Sequence, residues 1–377
     1  MNTDVVKGFK DYLGEDAEKR EEIRKILVGT FENYGFESAE TPIIEYEEFV
    51  EGDNKDDEAV SDIFRLEDKG KRKLALRYEL TFQLKRIMNN KKLPYKRYQI
   101  GVVFRDEPVS ANRFRQFTQC DVDIIGSGIK EDAEILKLTS ELFKKLKIEN
   151  EIFAGNRELL NEILKEQNIT KNKEQVLREV DKLDKLSEKE VRGNLKKYGA
   201  EKIIDILKKP EKFFEKYSAY SDIKELKKMC DYYGVKITFK PSLVRGLSYY
   251  NKNVWEVKTK QMKESISGGG SYMFNNIQCT GITFGLDRIS MLSKMDFSKE
   301  KFLVISLGKD KEVIKIVEKL RQNGKSASIY YGKPSKALDY ANSYNFNKVI
   351  FVGEKEVKSK QFKIKDMKSG KESLLKI

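Results

Sequence analysis

The chain has 377 residues, 39% of them hydrophobic and 36% charged, with six prolines and a formal net charge of +13. That length exceeds one small core and fits two or three domains. No window is apolar for long enough to span a bilayer, and the polar start MNTDVVKGFKDYLGEDAEKR is not expected to be a signal peptide. Histidine is absent, which excludes a histidine triad, a histidine general base and histidine metal ligands.

Residues 16–35 are expected to form an amphipathic helix, with Ile23, Ile26, Leu27, Phe31 and Tyr34 at helical spacing and Gly35 as its stop. FESAETPIIEYEEFV (36–50) follows as an extended segment, which Pro42 confines to an edge or junction. Residues 62–86 read as a hairpin turned at DKGKRK and leading into a helix. Taken alone, Glu79 is a common helix-start carboxylate. From Tyr98 to Gly126 come two strands, joined by a turn with Pro108, Ser110 and Asn112. Alternate side chains share a face. Phe114, Cys120, Val122 and Ile124 make a core row, and Arg113, Arg115, Phe117, Gln119, Asp121 and Asp123 make the other. The second row could be a solvated face. With Arg105 ending the opposing strand it also suits a nucleotide: guanidinium forks for phosphates, a ring for the base, and acids for a cationic co-substrate.

Residues 131–147 suggest another amphipathic helix and EIFAG a short strand. From 156 to 232 the chain is rich in lysine and glutamate and helical in period, an inserted helical domain or plain surface helices. In VKITFKPSLVRGLSYYNKNVWEV (235–257), Arg245 begins a tight turn set by Gly246 and needs an anion, from an ion pair or a ligand. SGGGSY (267–272) reads as a glycine loop allowing close backbone approach to a ligand. GITFGLDRIS (281–290) is a strand running into a helix, with Arg288 either exposed or aimed at phosphate. After 297–298 the chain restarts as strand KFLVISLG, helix 309–323, strand SASIYY, helix 335–343, strand KVIFVG and a hairpin turned at Ser369-Gly370. Such alternation implies a mostly parallel sheet with right-handed crossovers. Residues 301–377 carry 18 Lys/Arg against 8 Asp/Glu, so +10 of the +13 lies there, which favours a nucleic-acid partner. Cys120, Cys230 and Cys279 show no paired spacing, so neither disulfides nor a zinc site is expected, and a reducing cytoplasm is the simple inference.

FRDEP, a basic loop and FRQFTQCDVDIIG together resemble motif 2 of class II aminoacyl-tRNA synthetases. The QCDVDIIG ending is similar to histidyl-tRNA synthetases of the archaeal and eukaryotic branch. LRYELT (76–81) resembles that family's LRYDLT, LVRGL-x-YY its histidine signature, and GITFGLDRIS its motif 3. The first helix with its proline-bearing strand resembles motif 1, the dimer-forming element. VDKLDKLSEKEV (180–191) resembles the helical insertion, expected to clamp the acceptor stem of tRNA. The last segment resembles the anticodon-binding domain and ends early at Ile377. Where the family has LVRGLDYY and GGGRYD, this chain has Ser248, Ser271 and Met273, and Asn112 stands at a usual glycine.

The resemblance implies an α+β catalytic domain with an antiparallel sheet, the class II synthetase fold, at 1–155 and 233–297. It further implies a small helical insertion at 156–232 and a C-terminal α/β anticodon-binding domain at 298–377. The implied activity is histidine–tRNA ligation: histidine and ATP give histidyl-adenylate, and the acyl group passes to the 3′ end of tRNA(His). Arg245 and Arg105 would be catalytic, with Arg105, Arg113, Phe117 and Arg288 on ATP and Mg²⁺ on the triphosphate. Glu79, Leu80, Thr81, Arg105, Gln119, Asp123, Arg245, Tyr249 and Tyr250 would hold histidine; no protein-held metal is expected. A cytoplasmic homodimer without membrane contact is implied. The alternative within the same fold is a non-charging paralogue, the regulatory subunit of ATP phosphoribosyltransferase, which typically lacks the arginines and the C-terminal domain.

Overall fold

Residues 1–52, 58–244 and 249–375 are described by a computed structural model. They divide into two units, one of Met1–Tyr12 with Arg20–Met295 and one of Leu13–Lys19 with the residues from Asp296 onward. Helix Gly14–Asn33 buries Ile23, Leu27 and Phe31 on one stripe and stops before Gly35, whose φ of 77° breaks the helix. The 36–50 stretch is not one extended segment. It divides around Pro42 into β1 (Glu37–Ser38) and β2 (Ile44–Tyr46), then continues as helix Glu47–Glu51. Two glutamates in the first turn favour that helix, and Val50 anchors it in the core. The expected hairpin is β3 (Arg65–Glu67) and β4 (Lys73–Leu76), and β2 joins it as a three-stranded sheet, β2-β4-β3. Asp68 closes its turn by accepting from the Arg72 N–H at 2.9 Å.

The large sheet adds β5 (Tyr95–Phe104), β6 (Gln116–Ile125), β7 (Glu151–Asn156), β8 (Thr238–Phe239), β9 (Tyr250–Thr259), β10 (Met262–Phe274) and β11 (Ile277–Gly285). Among the described residues its order is β1-β5-β6-β11-β10-β9-β7-β8, antiparallel except for the outermost pairs. On β6, Cys120, Val122 and Ile124 are fully buried, as the alternation predicts, whereas Phe114, expected in the same row, precedes the strand and lies half-buried at the cleft. The opposite row begins only at Phe117, because β6 starts at Gln116 and Arg113 and Arg115 lie in the preceding turn, closed by the Ser110–Arg113 bridge. Helix Ile129–Lys145 covers the sheet with Ile135, Leu142 and Phe143, the last stacking edge-on against Phe284 of β11 at 5.8 Å.

SGGGSY is not a loop. It lies inside β10, between β9 and β11, where a Cβ on Gly269 would stand 2.8 Å from both Ile282 Cα and Trp255 Nε1. The close approach is between strands, and glycine permits it. Residues 157–232 are helical, with helices Arg157–Glu166, Lys173–Asp181, Glu188–Lys196, Ile203–Leu207 and Tyr220–Tyr232. They bury Leu160, Val176, Val191, Ile204 and Phe214 in one cluster. Asn156 caps the first of these helices by accepting from the Leu159 N–H at 2.9 Å.

In the second unit, β12 (Lys301–Ser306), β13 (Ser326–Tyr330), β14 (Lys348–Val352), β15 (Lys363–Asp366) and β16 (Glu372–Leu374) run in the order β13-β12-β14-β15-β16, the first three parallel. Helices Asp310–Gln322 and Ala337–Ser343 supply the crossovers. Residues 354–360, for which no element is expected above, hold helix Glu354–Ser359, started by Glu356 accepting from the Gly353 N–H at 3.0 Å. Among the described residues no helix is long and apolar enough to cross a membrane. All three cysteines are buried and free.

Candidate active site

The row Phe117, Gln119, Asp121 and Asp123 of β6 lines a cleft of about 580 Å³. The cleft has a basic end and an acidic end. At the basic end, Arg105 follows β5 directly and its Nε donates to the Tyr78 carbonyl at 3.1 Å. Its guanidinium carbon lies 5.2 Å from the Phe117 ring centroid, close enough for a cation–π contact. Arg113 enters from the turn and pairs with Glu107 at 3.3 Å. Arg288, in the first turn of helix Leu286–Leu292, donates to the Ser265 carbonyl at 2.7 Å. That helix is fixed to β6 by Asp287, which accepts from the Thr118 N–H at 2.9 Å and from Arg20 at 2.7 Å. Burial lowers the proton affinity of Arg288 most, and the nearby charges of Arg113 and Arg105 lower it further, against Glu264 and Glu107. Three guanidinium groups from separate parts of the chain therefore share one space.

At the acidic end, Glu79, Asp121 and Asp123 are each 3% exposed. Burial pushes Glu79 up to about 8, with the Arg105 charge opposing. The Tyr249 hydroxyl donates to Glu79 Oε2 at 3.3 Å. Burial, then the neighbouring Asp123 charge, pushes Asp121 up to about 7, and the Thr283 hydroxyl donates to it. Asp123 is likewise raised by burial and held down by Arg97, whose Nη2 lies 2.8 Å from its Oδ2. The Tyr272 hydroxyl donates to the other oxygen. Thr81 and Tyr250 complete this wall, with the Tyr249 and Tyr250 rings 4.8 Å apart. Gln119 Oε1 is buried and has no hydrogen-bond partner among the described residues.

Arg105, Arg113, Phe117, Arg288, Glu79, Thr81, Gln119, Asp123, Tyr249 and Tyr250 thus meet at one cleft. Leu80 does not line it: its side chain is core, and its carbonyl accepts from Arg97 at 2.7 Å. Arg245, with Gly246 and Ser248, lies outside the described residues. Ser271 faces away from the cleft and donates to buried Asp132 at 2.9 Å, while Met273 is exposed. Asn112 bonds Glu264 at 3.4 Å. Sequence reasoning missed Tyr272, Arg97 and Glu264. Tyr272 sat in a stretch read as a loop, and nothing along the chain shows that Arg97 and Asp123 are partners across β5 and β6.

Residues 8–289 match the family model described as "Histidyl-tRNA synthetase", and residues 301–377 match the one described as "Anticodon binding domain". A "Histidine--tRNA ligase 1" of Bacillus cereus is 35% identical, over 99% of this chain and 97% of its own. "Histidine--tRNA ligase" of Methanocaldococcus jannaschii is 33% identical, over 98% and 97%. The crystal structure of histidyl-tRNA synthetase from Nostoc sp. PCC 7120 shares the fold with a TM-score of 0.86 at 23% identity, covering 100% of this chain and 97% of that one. A Bacillus halodurans C structure titled "ATP phosphoribosyltransferase regulatory subunit/histidyl-tRNA synthetase" follows with a TM-score of 0.77 at 20% identity, over 93% and 98%. With two family models in the expected order and relatives matched end to end, the chain belongs to the histidyl-tRNA synthetase family.

Proposed function

We propose that the chain is a histidine–tRNA ligase that activates histidine with ATP and passes it to the 3′ end of tRNA(His). The observation that carries this reading is the division of one cleft into a cluster of three arginines and a buried acid–tyrosine pocket. Phosphoryl chemistry of this kind needs positioning and charge stabilisation more than covalent work by the protein. Arg105 would hold the α-phosphate and the substrate carboxylate, and Arg113 and Arg288 the outer phosphates. Phe117, already beneath Arg105, would stack adenine. Arg245 would approach the α-phosphate from the other side.

Glu79, Thr81 and Gln119 would take the α-amino end of histidine. The orphaned Gln119 Oε1 is an acceptor waiting for a donor. Asp123 and Tyr250 would meet the imidazole, and Tyr249 would line the pocket. Among the described residues no group of three or more acidic or thiol side chains is placed to hold a metal ion. A Mg²⁺ arriving on the triphosphate needs only one or two protein carboxylates. Glu264 and Glu107, both beside the arginine cluster, could supply them.

The stretch 156–232 would clamp the acceptor stem, and 298–377, with most of the net positive charge, would read the anticodon. A homodimer in the cytoplasm completes the reading. The regulatory paralogue shares the fold, but the arginines at the cleft and the match of 301–377 to an anticodon-binding domain favour the ligase.

The test is ATP–pyrophosphate exchange with each of the twenty amino acids, then charging of total tRNA. Exchange with histidine alone and charging of tRNA(His) are expected; absence of both would overturn the reading. Arg245→Ala should abolish adenylate formation while fold and tRNA affinity stay largely intact.

A further inference from the structure

The acidic end of the cleft holds one more carboxylate than the assigned contacts use. Asp121 sits on β6 between Gln119 and Asp123, on the same face and 3% exposed. Asp123 has its cation in Arg97 and its donor in Tyr272. Asp121 has the Thr283 hydroxyl from β11 as its donor; the charges of Arg97 and Arg105 reach it from a distance, but no cation forms an ion pair with it among the described residues. One pleat away, Gln119 is 7% exposed and its Oε1 has no partner. Glu79 reaches the same pocket from another segment.

Two acceptors two residues apart on one strand face, with a carboxylate opposite, leave lone pairs that only a group rich in donors can satisfy. An ammonium has three N–H donors and the charge a buried carboxylate needs. We propose that Asp121 is a further substrate-binding residue, which takes the α-ammonium group of the amino acid together with Gln119 and Glu79. This rests on the ligase reading. It makes Asp121 a determinant of specificity for the amino group, separate from the imidazole end at Asp123.

The experiment compares three ligands on the full chain by calorimetry and by competition in pyrophosphate exchange. They are histidine, histidinol (which lacks the carboxylate) and imidazolepropionate (which lacks the ammonium). Asp121→Asn keeps the shape and removes the charge. It should weaken histidine and histidinol by about tenfold or more, the scale of a lost charged hydrogen bond. Imidazolepropionate should bind the variant within about twofold of wild type, and the KM for ATP should not move. Equal loss for all three ligands, or none, would overturn the proposal. If Asp121→Asn does not fold, Thr283→Val removes only the hydroxyl that anchors Asp121; it should give a smaller loss in the same order, and a different order overturns the proposal. Absence of histidine-dependent exchange in wild type would instead sink the ligase reading itself.

Discussion

Asp123 on β6 and Gly281 on β11 are register partners, and the Asp123 carboxylate occupies the space a side chain at 281 would need. A Cβ there would stand 2.9 Å from Asp123 Cγ and 2.9 Å from the Val122 carbonyl. The missing side chain lets the carboxylate lie across the neighbouring strand into the cleft, where Arg97 and Tyr272 fix it. Gly281→Ala should turn Asp123 away. We expect the KM for histidine in pyrophosphate exchange to rise ~10–100-fold, as for loss of one or two hydrogen bonds to a charged group. The KM for ATP should change little, and an unchanged histidine KM would contradict the role given to Asp123.

Glu79 and Asp121 titrate near 8 and 7 because burial disfavours their charged forms. Both folded values lie above the ordinary carboxylate range, so the folded protein holds these protons more tightly than the unfolded chain. Their contribution to stability is therefore full below the ordinary carboxylate range, falls as pH rises above it, and is lost by pH 7 to 8. An arriving ammonium favours the ionised carboxylates and should expel protons. At pH 7.5, where free imidazole is mostly neutral, histidine binding should release protons to buffer. Calorimetry in two buffers of different ionisation enthalpy reads this directly, and Glu79→Gln should reduce the release. Equal heats in both buffers would show that these acids are already charged.

Arg97 is fully buried, 2.8 Å from Asp123 Oδ2 and bonded to the Leu80 carbonyl. The contact with Oδ2 has ion-pair distance but not hydrogen-bond alignment, so charge holds the pair. Arg97→Met fills similar space and strands the carboxylate. It should cost ~3–5 kcal/mol in chemical denaturation, the usual penalty for an uncompensated buried charge. Adding Asp123→Asn should recover part of that loss, since coupled sites are not additive. Strict additivity would show that the two side chains do not depend on each other.

Much of this was legible along the chain because it depends on local order. Alternation on β6 separated Cys120, Val122 and Ile124 from the cleft row, while Arg105 stood at the end of β5 and Arg288 in the first turn of a helix that follows a strand. What stayed hidden depends on which strands lie side by side. The glycines at 268–270 read as a loop open to a ligand, and only the pairing of β10 between β9 and β11 shows that they lie within a sheet. Arg97, in the basic stretch KKLPYKRY, shows no acidic partner along the chain until β5 is placed beside β6. Glu47–Glu51 reads as strand because Tyr46, Phe49 and Val50 favour one, yet two leading glutamates and a single buried residue made it a helix.

Asp184, in the short turn Lys182–Asp184 within the helical stretch, accepts from Lys240 at 2.6 and 2.8 Å and from Lys258 of β9. Burial alone would raise its carboxyl, but the two lysines outweigh that and hold it below the usual range. The three side chains are 24–37% exposed, so each pair is worth about 1 kcal/mol or less and is screened by salt. Two such pairs on one carboxylate still tie the helical stretch to the sheet beside the cleft. Asp184→Asn should speed hydrogen exchange in helices Lys173–Asp181 and Glu188–Lys196 while histidine-dependent pyrophosphate exchange stays within about twofold. If this stretch clamps tRNA, the KM for tRNA should shift by ~3–10-fold in the variant. Raising salt should reproduce the faster hydrogen exchange in wild type and add little in Asp184→Asn, because the screened interaction is the one already removed. Equal sensitivity to salt in both proteins would show that the clasp does not hold the helices.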